Sequence, residues 1–324
     1  MKPLMDLLYN PISAAPRTLD SEEFSANHID GMETRQSHDE HVTQPGKATP
    51  FSCYVNLANT ILGSGILALP YAFAHSGWIL GTLLTIVCGA SAALGLHFLS
   101  QCALKESSAS SSFYTIGKKA LPNFTILVDI AIALKCFGVA TSYLIVIGDL
   151  MPELMKQFDA SHLWQRRQLW VLIGFGVVCP LSYLPTLDAL KFTSSLGLAF
   201  VTFLVLIVIL YSTDLNGLNP CRDGGNVDND PDCSGRTTDV MVNLGTLKVL
   251  PIFIYGYTCH QNIFTVVNEI ESPSQQRLDM VVAAAIGTGV VASLLLAYSG
   301  YGTFGSKAYS DILMNYPGTV LTVA

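Results

Sequence analysis

The stretch Asn56–Trp78, NLANTILGSGILALPYAFAHSGW, decides the fold. It lies inside the run Ala48–Leu104, which has no Asp, Glu, Lys or Arg and is long enough for two membrane helices of about 20 residues each. Two glycines, Gly63 and Gly65, flank a serine in the first half of this run, and Pro70 follows them. Within a helix, glycine costs about 1 kcal/mol relative to alanine and proline about 3 kcal/mol. The stretch therefore predicts a membrane helix that is interrupted near the middle of the bilayer.

The composition of the whole chain also indicates a membrane protein. Of its 324 residues 50% are hydrophobic and 13% are charged, against roughly 25% charged residues in an average soluble domain. Twelve of the 41 charged side chains lie in residues 1–50, which have no helical or strand periodicity and are predicted to form a disordered cytoplasmic tail. The net charge of −7 argues against a nucleic-acid partner, because such binding needs clustered Lys and Arg.

Apolar runs predict an all-α membrane domain over residues 51–324, with about seven spans and the start of an eighth after Val320. The predicted spans are 51–75, 78–104, 124–151, 168–186, 192–213, 243–268 and 280–304. We expect the eighth helix to be cut short, because the sequence stops at Ala324. Nine Lys and Arg residues lie on the side of the membrane that holds the N-terminal tail, and six lie on the other side. Since Lys and Arg are enriched in cytoplasmic loops, the tail is predicted inside and the loop 214–242 on the lumenal or extracellular side. Cys221 and Cys233 lie in this loop, and they can form a disulfide if the compartment is oxidising.

A second interruption is predicted in the sixth span. The sequence Phe253–Ile270, FIYGYTCHQNIFTVVNEI, places Gly256 and several polar residues in the middle of an apolar helix. Irregular backbone at this depth is tolerated only where it is buried in protein or lines a cavity. Two such breaks in one chain favour a transporter binding site, and the N-terminal end of a half-helix there suits a carboxylate. The alternative is that the glycines only let helices pack closely.

Two ionisable residues within the predicted spans are candidates for ion coupling. Lys135 lies near the middle of the third span, where a charge costs several kcal/mol unless it is paired or hydrated, so we expect a structural charge pair, an aqueous lining or a coupling role. Asp129 is six residues away, off the face of Lys135 on an ideal helix, and is a poor partner. His260 can carry a proton, because the unperturbed pKa of histidine is near 6.5, although a neutral hydrogen-bonding ring is the simpler interpretation.

Features of enzymes are missing from the sequence. It has no arrangement of nucleophile and base, no phosphate-binding loop and no metal-binding constellation, and none of its eight cysteines forms a C-x-x-C pair. We therefore expect neither an enzymatic activity nor a bound cofactor or metal.

Three runs of the sequence resemble the amino acid/auxin permease family, which includes the sodium-coupled neutral amino acid transporters. They are Asn56–Trp78, Phe253–Ile270 and Asp129–Pro152, DIAIALKCFGVATSYLIVIGDLMP, and the third is most similar to the fungal vacuolar amino acid transporters. The resemblance extends from about Ser52 to the end of the chain. It implies a LeuT-like inverted-repeat fold of about eleven helices, with the substrate between the broken first and sixth helices. The first five-helix repeat is complete here, and two helices of the second are present. In the family a residue on the eighth helix completes a cation site, and we expect that helix to be cut short here.

The resemblance also implies roles for residues of the first break. Gly63, Ser64 and Gly65 match the unwound segment that holds the substrate carboxylate. Asn59 matches an asparagine that the family uses in cation binding, and the alternative is a hydrogen bond between helices.

Residues of the sixth span match a second family pattern, whose free carbonyls face the substrate amine. The matching residues are Tyr255, Gly256, Tyr257, Cys259 and His260. Tyr257 and Thr258 are predicted to shape the pocket with their side chains, whereas Cys259 is expected to serve packing.

The function that the resemblance implies is secondary active transport of amino acids across a vacuolar-type membrane by alternating access. The fungal similarity favours protons as the coupling ion, with sodium as the alternative, and a plasma-membrane location also stays open. The expected partners are the amino acid and the lipid bilayer. Two other hypotheses remain: an amino acid sensor that signals through its N-terminal tail without significant flux, and an inactive fragment of a transporter.

Overall fold

The computed structural model describes residues 48–106, 111–159, 161–181, 191–213, 219, 221 and 233–316. Residues 1–47 of the predicted tail, the apolar stretch after Val320 and most of the loop 214–242 lie outside these residues. Ten α-helices occur in the described residues: α1 Pro50–Ile61, α2 Leu69–Ser76, α3 Trp78–Lys105, α4 Phe113–Ala120, α5 Thr125–Gln157, α6 Arg167–Leu181, α7 Lys191–Ser212, α8 Leu244–Gly256, α9 Ile263–Glu269 and α10 Gln275–Phe304.

The first predicted span is broken where the glycines predict it. Helix α1 begins after Thr49, whose Oγ1 accepts a hydrogen bond from the backbone N–H of Ser52 at 3.2 Å. It ends at Ile61, and a short 3₁₀ segment, Ser64–Ala68, leads into α2. Proline is tolerated at Pro70 because it lies in the first turn of α2, where an N–H would have no intrahelical partner. The two parts of the span are bent by about 40°.

A tight turn at Gly77 separates the first two spans. Gly77 has a φ of +80°, which L side chains rarely adopt, and a Cβ there would lie 2.7 Å from the carbonyl oxygen of Asp239. The N–H of Ile79 donates to the same carbonyl at 2.9 Å, so the segment before α8 is fixed to the start of α3. The predicted boundary between spans 51–75 and 78–104 is therefore accurate to within a residue or two.

Helix α10 forms the centre of the bundle and packs against α1, α2, α3 and α7. Apolar side chains on both halves of α10 join two buried clusters, one around Leu278 and Val282 and the other around Leu296 and Tyr301. The start of α1 is also fixed to the end of α9: the N–H of Ala48 donates to Glu269 O, and Ala48 O accepts from the N–H of Glu271, both at 2.9 Å. The ends of the two broken spans are thus held together.

The described residues give several membrane-length helices. Four segments are long and apolar enough to cross a bilayer: Trp78–Lys105, Thr125–Gln157, Ser194–Ser212 and Gln275–Lys307. The bent pair α1 and α2 makes a fifth when it is counted as one span. Helix α6 ends at Leu181, and the rest of the predicted fourth span lies outside the described residues. The sixth span is divided into α8 and α9, neither of which reaches 20 residues. The count of seven spans therefore stays a prediction.

Helices α5 and α6 pack against each other and leave an apolar surface open. In the apolar window that makes α5 a candidate span, no residue is buried, and Phe137 is 71% exposed. Such a surface is what lipid contact requires, because lipid chains replace water around it. The described structure is thus that of a mostly helical membrane protein.

Candidate functional site

The sixth span is interrupted where its polar residues predict a break. Helix α8 ends at Gly256, and Tyr257, Thr258 and Cys259 form an irregular connection to a 3₁₀ turn, His260–Asn262. The N–H of Thr258 donates to Tyr255 O at 3.0 Å, and its Oγ1 donates to Ile254 O at 2.9 Å. These bonds satisfy carbonyls at the end of α8 that a continuous helix would have used itself.

A cavity of about 210 Å³ lies between the two breaks. Its walls come from the end of α1, the segment after α1, the middle of α5 and the connection after α8. The residues that line it are Asn59, Thr60, Ile61, Gly63, Gly65, Lys135, Val139, Tyr143, Tyr255, Gly256, Thr258 and Gln261. The structure thus brings together seven residues that the sequence predicts for substrate binding or ion coupling.

The two glycines of the first break allow aromatic rings to approach the backbone. A Cβ added to Gly63 would clash with the hydroxyl of Tyr143 and would lie 3.3 Å from Cζ of the same ring. A Cβ added to Gly65 would lie 3.0 Å from the ring of Tyr255. Neither glycine has a positive φ among the described residues, so their requirement is for space. A larger side chain at either position would occupy the cavity wall.

Lys135 connects α5 to the break in the sixth span. Its Nζ donates hydrogen bonds to the backbone oxygen of Thr258 at 2.8 Å and to Oε1 of Gln261 at 2.7 Å. The C-terminal end of a helix carries a partial negative charge, and an ammonium group next to the end of α8 is therefore favourable. Of the environments predicted for Lys135, the structure gives a cavity lining with neutral hydrogen-bond acceptors. Asp129 is not an ion-pair partner of Lys135 among the described residues.

A hydrogen bond joins the two breaks directly. Nδ2 of Asn262 donates to Oγ1 of Thr60 at 2.7 Å, and the Thr60 hydroxyl donates in turn to Asn56 O at 2.9 Å. Asn59, one residue before Thr60, lines the cavity and has its Oδ1 close to Gly197 of α7, where a Cβ would lie 2.8 Å away. The end of α1 therefore contacts both the sixth span and the fifth.

Other predicted residues lie away from this cavity. Tyr257 is 1% exposed and packs among α3 and α10, since Cβ atoms on Gly89 and Gly289 would each lie 3.7 Å from its ring. The prediction that its side chain shapes the pocket is therefore not met in this structure. The backbone leaves the helical conformation at Tyr257, and this change of direction places the side chain among the buried core residues.

His260 and Cys259 also face the neighbouring helices. The ring of His260 lies against α3, where a Cβ on Gly95 would be 2.7 Å from its Nε2, and Cys259 is fully buried in the core. The side chain of Ser64 lies outside the described residues. Cys221 and Cys233 form a disulfide, with their Cα atoms 5.3 Å apart.

Sequence reasoning missed five residues of the cavity wall: Thr60, Ile61, Val139, Tyr143 and Gln261. A signal for two of them was available, because Lys135, Val139 and Tyr143 are spaced by four residues and therefore share one face of a helix. Nothing in the sequence indicates that this face turns toward the breaks.

Comparison with known proteins decides the family. The family of the transmembrane amino acid transporter proteins matches residues 46–324. The chain belongs to this family. It is 38% identical over 279 residues to the vacuolar amino acid transporter 5 of Schizosaccharomyces pombe, a match that covers 86% of this chain and 63% of the relative.

Two relatives from Saccharomyces cerevisiae extend the comparison. The chain is 33% identical over 275 residues to vacuolar amino acid transporter 6 and 30% identical over 270 residues to vacuolar amino acid transporter 7. These matches cover 82% and 83% of this chain, and 58% and 52% of the relatives. The chain thus spans between half and two thirds of the length of these family members. No solved structure matches it.

Proposed function

We propose that the protein is a secondary active transporter that moves amino acids across the vacuolar membrane by alternating access around its two broken spans. The observation that carries this proposal is the cavity between the breaks, which has helix ends, hydroxyls and a lysine in its wall. Membership of the family and the names of the three fungal relatives support amino acids as the cargo and the vacuole as the location. The full arrangement would be the LeuT-like inverted repeat, with the cavity at its centre.

The proposed binding mode follows from the polarity of the helix ends. The substrate carboxylate would bind at Gly63, Ser64 and Gly65, because a helix N-terminus offers N–H donors and a positive dipole end. The substrate ammonium would bind near Tyr255 and Gly256, at the negative end of α8, and the side chain of Thr258 would shape the pocket beside it. Each group of the zwitterion would thus meet an opposite partial charge.

Asn59, Lys135 and His260 are the proposed ion-coupling residues, with protons as the coupling ion. Lys135 and Asn59 line the cavity, whereas the ring of His260 lies against α3. Tyr257 supports the site through packing in this proposal, since its ring lies in the core.

Uptake by purified protein in lipid vesicles tests both the cargo and the coupling ion. We expect labelled amino acids to accumulate when a pH gradient is imposed, and we expect a sodium gradient at equal pH on both sides to drive no accumulation. Empty vesicles control for leakage. Accumulation that follows the sodium gradient and ignores the pH gradient would refute proton coupling, and no accumulation under either gradient would refute transport.

A further inference from the structure

The charge of the cavity wall is the feature from which substrate selectivity follows. Of the twelve described residues that line the cavity, only Lys135 has a charged side chain, and the others are neutral polar, apolar or glycine. Both hydrogen-bond acceptors of its Nζ, Thr258 O and Oε1 of Gln261, are uncharged. The described part of the wall therefore has one positive charge and no carboxylate to balance it.

The acidic residue nearest to Lys135 along the chain does not remove this imbalance. Asp129 lies six residues earlier on α5, which corresponds to roughly 9 Å along the helix axis and to a different face. Its Oδ2 is buried without a hydrogen-bond partner, and no ion pair between Asp129 and Lys135 occurs in the described residues. Hence the positive charge acts on whatever enters the cavity.

Because the cavity is small, any charged group of a bound amino acid lies close to the ammonium group of Lys135. A compact space of about 210 Å³ is roughly 7 Å across, so a charged side chain of a bound amino acid lies within that distance of Nζ. Two unit charges of the same sign at about 6 Å, with an effective dielectric constant near 20, weaken binding by about 100-fold. The α-carboxylate and the α-ammonium are common to all amino acids, so this penalty distinguishes a cationic side chain from a neutral one of similar length.

We propose that Lys135 makes the cavity a charge filter that rejects amino acids with a cationic side chain and admits those with a neutral or acidic one. The proposal rests on the proposed function, because it assigns a selectivity to the same site. It differs from a structural role, in which Lys135 would only hold Thr258 and Gln261 in place.

Matched pairs of competitors test the filter in the purified full chain. Labelled glutamine serves as the bound probe, and the competitors are citrulline against arginine and norleucine against lysine, which have similar lengths and different charges. In the wild type we expect each cationic competitor to need a concentration about 100-fold higher than its neutral partner.

Three variants separate charge from structure. Lys135→Gln removes the charge and keeps a hydrogen-bond donor, so the ratio should fall below about 10, whereas Lys135→Arg should keep it. Gln261→Glu leaves the lysine in place and adds a carboxylate at the atom it already contacts, so the ratio should fall there as well. Lys156→Gln, at the exposed C-terminal end of the same helix, is the control and should leave the ratio unchanged.

The outcomes distinguish the selectivity from the function. Equal competition by arginine and citrulline in the wild type would overturn the filter while glutamine binding upholds the site. A ratio that stays near 100 in both Lys135→Gln and Gln261→Glu would also overturn it. If glutamine and a panel of other labelled amino acids fail to bind at all, the proposed function fails together with the filter.

Discussion

Gly63→Ala is expected to reduce amino acid transport by about 5- to 100-fold. The new Cβ would overlap the Tyr143 hydroxyl, which sits at the end of a rigid ring on α5. Overpacking of this kind costs about 1–3 kcal/mol, and about 1.4 kcal/mol corresponds to a tenfold change in rate. Initial rates of uptake into vesicles, normalised to the amount of inserted protein, measure the effect.

A second substitution shows whether the clash is the cause. Tyr143→Phe removes the hydroxyl, so the double variant Gly63→Ala with Tyr143→Phe should come within about fivefold of Tyr143→Phe alone. Recovery will be incomplete, because Cζ of the ring would still lie 3.3 Å from the added Cβ. Gly138→Ala is the control, since a Cβ there meets nothing within 4 Å and the glycine lies on the same helix as Tyr143. If the double variant is as slow as Gly63→Ala, the contact with Tyr143 does not explain the requirement for glycine.

Thr60→Val is expected to weaken amino acid binding by about 5- to 100-fold. Valine has nearly the shape of threonine but cannot accept the hydrogen bond from Asn262, and a half-buried amide that loses its partner costs about 1–3 kcal/mol. That bond joins the two broken spans, so its loss lets the two halves of the site move apart. Equilibrium binding of a labelled amino acid measures the change. Thr141→Val is the control, because its exposed hydroxyl donates within its own helix, to Phe137 O, and has no other hydrogen bond among the described residues.

The pair can be tested as a unit through a double-mutant cycle. Asn262→Ala should weaken amino acid binding by a similar factor. Because both changes remove the same hydrogen bond, the double variant should bind the amino acid as tightly as the single variant that has the lower affinity. Additive losses would show that Thr60 and Asn262 act separately, which would contradict the direct connection between the breaks.

Local sequence predicted the breaks because their causes are local. The glycines around Ser64, Pro70 and the polar run after Tyr255 each weaken a helix wherever it is placed, and the structure ends α1 and α8 at these points. The direction of Tyr257 could not be predicted in the same way. It depends on the irregular dihedral angles after Gly256 and on the space that the glycines of α3 and α10 leave for the ring.

The partners of the cavity residues depend on packing between distant segments. Lys135 contacts residues that are more than 120 positions later, and Tyr143 touches Gly63 across 80 positions. The sequence indicated that Lys135 needs a polar environment, since burying a lone charge is costly, but it did not show which carbonyl would provide it. The roles of these residues in binding and coupling remain proposals.

The most direct test of the account is whether a bound amino acid protects the cavity from chemical modification. Thr258→Cys, in a background in which the six cysteines outside the disulfide are replaced, places a thiol in the cavity wall. Ser161→Cys, in an exposed turn after α5, is the control that should react at the same rate under all conditions.

The rate of reaction with a polar thiol reagent is then measured in vesicles with and without a transported amino acid. At ten times the dissociation constant the free site falls to about one eleventh, so we predict that modification of Thr258→Cys slows by about tenfold. An unchanged rate, in protein that still takes up the amino acid, would show that the substrate binds elsewhere and would contradict the central claim.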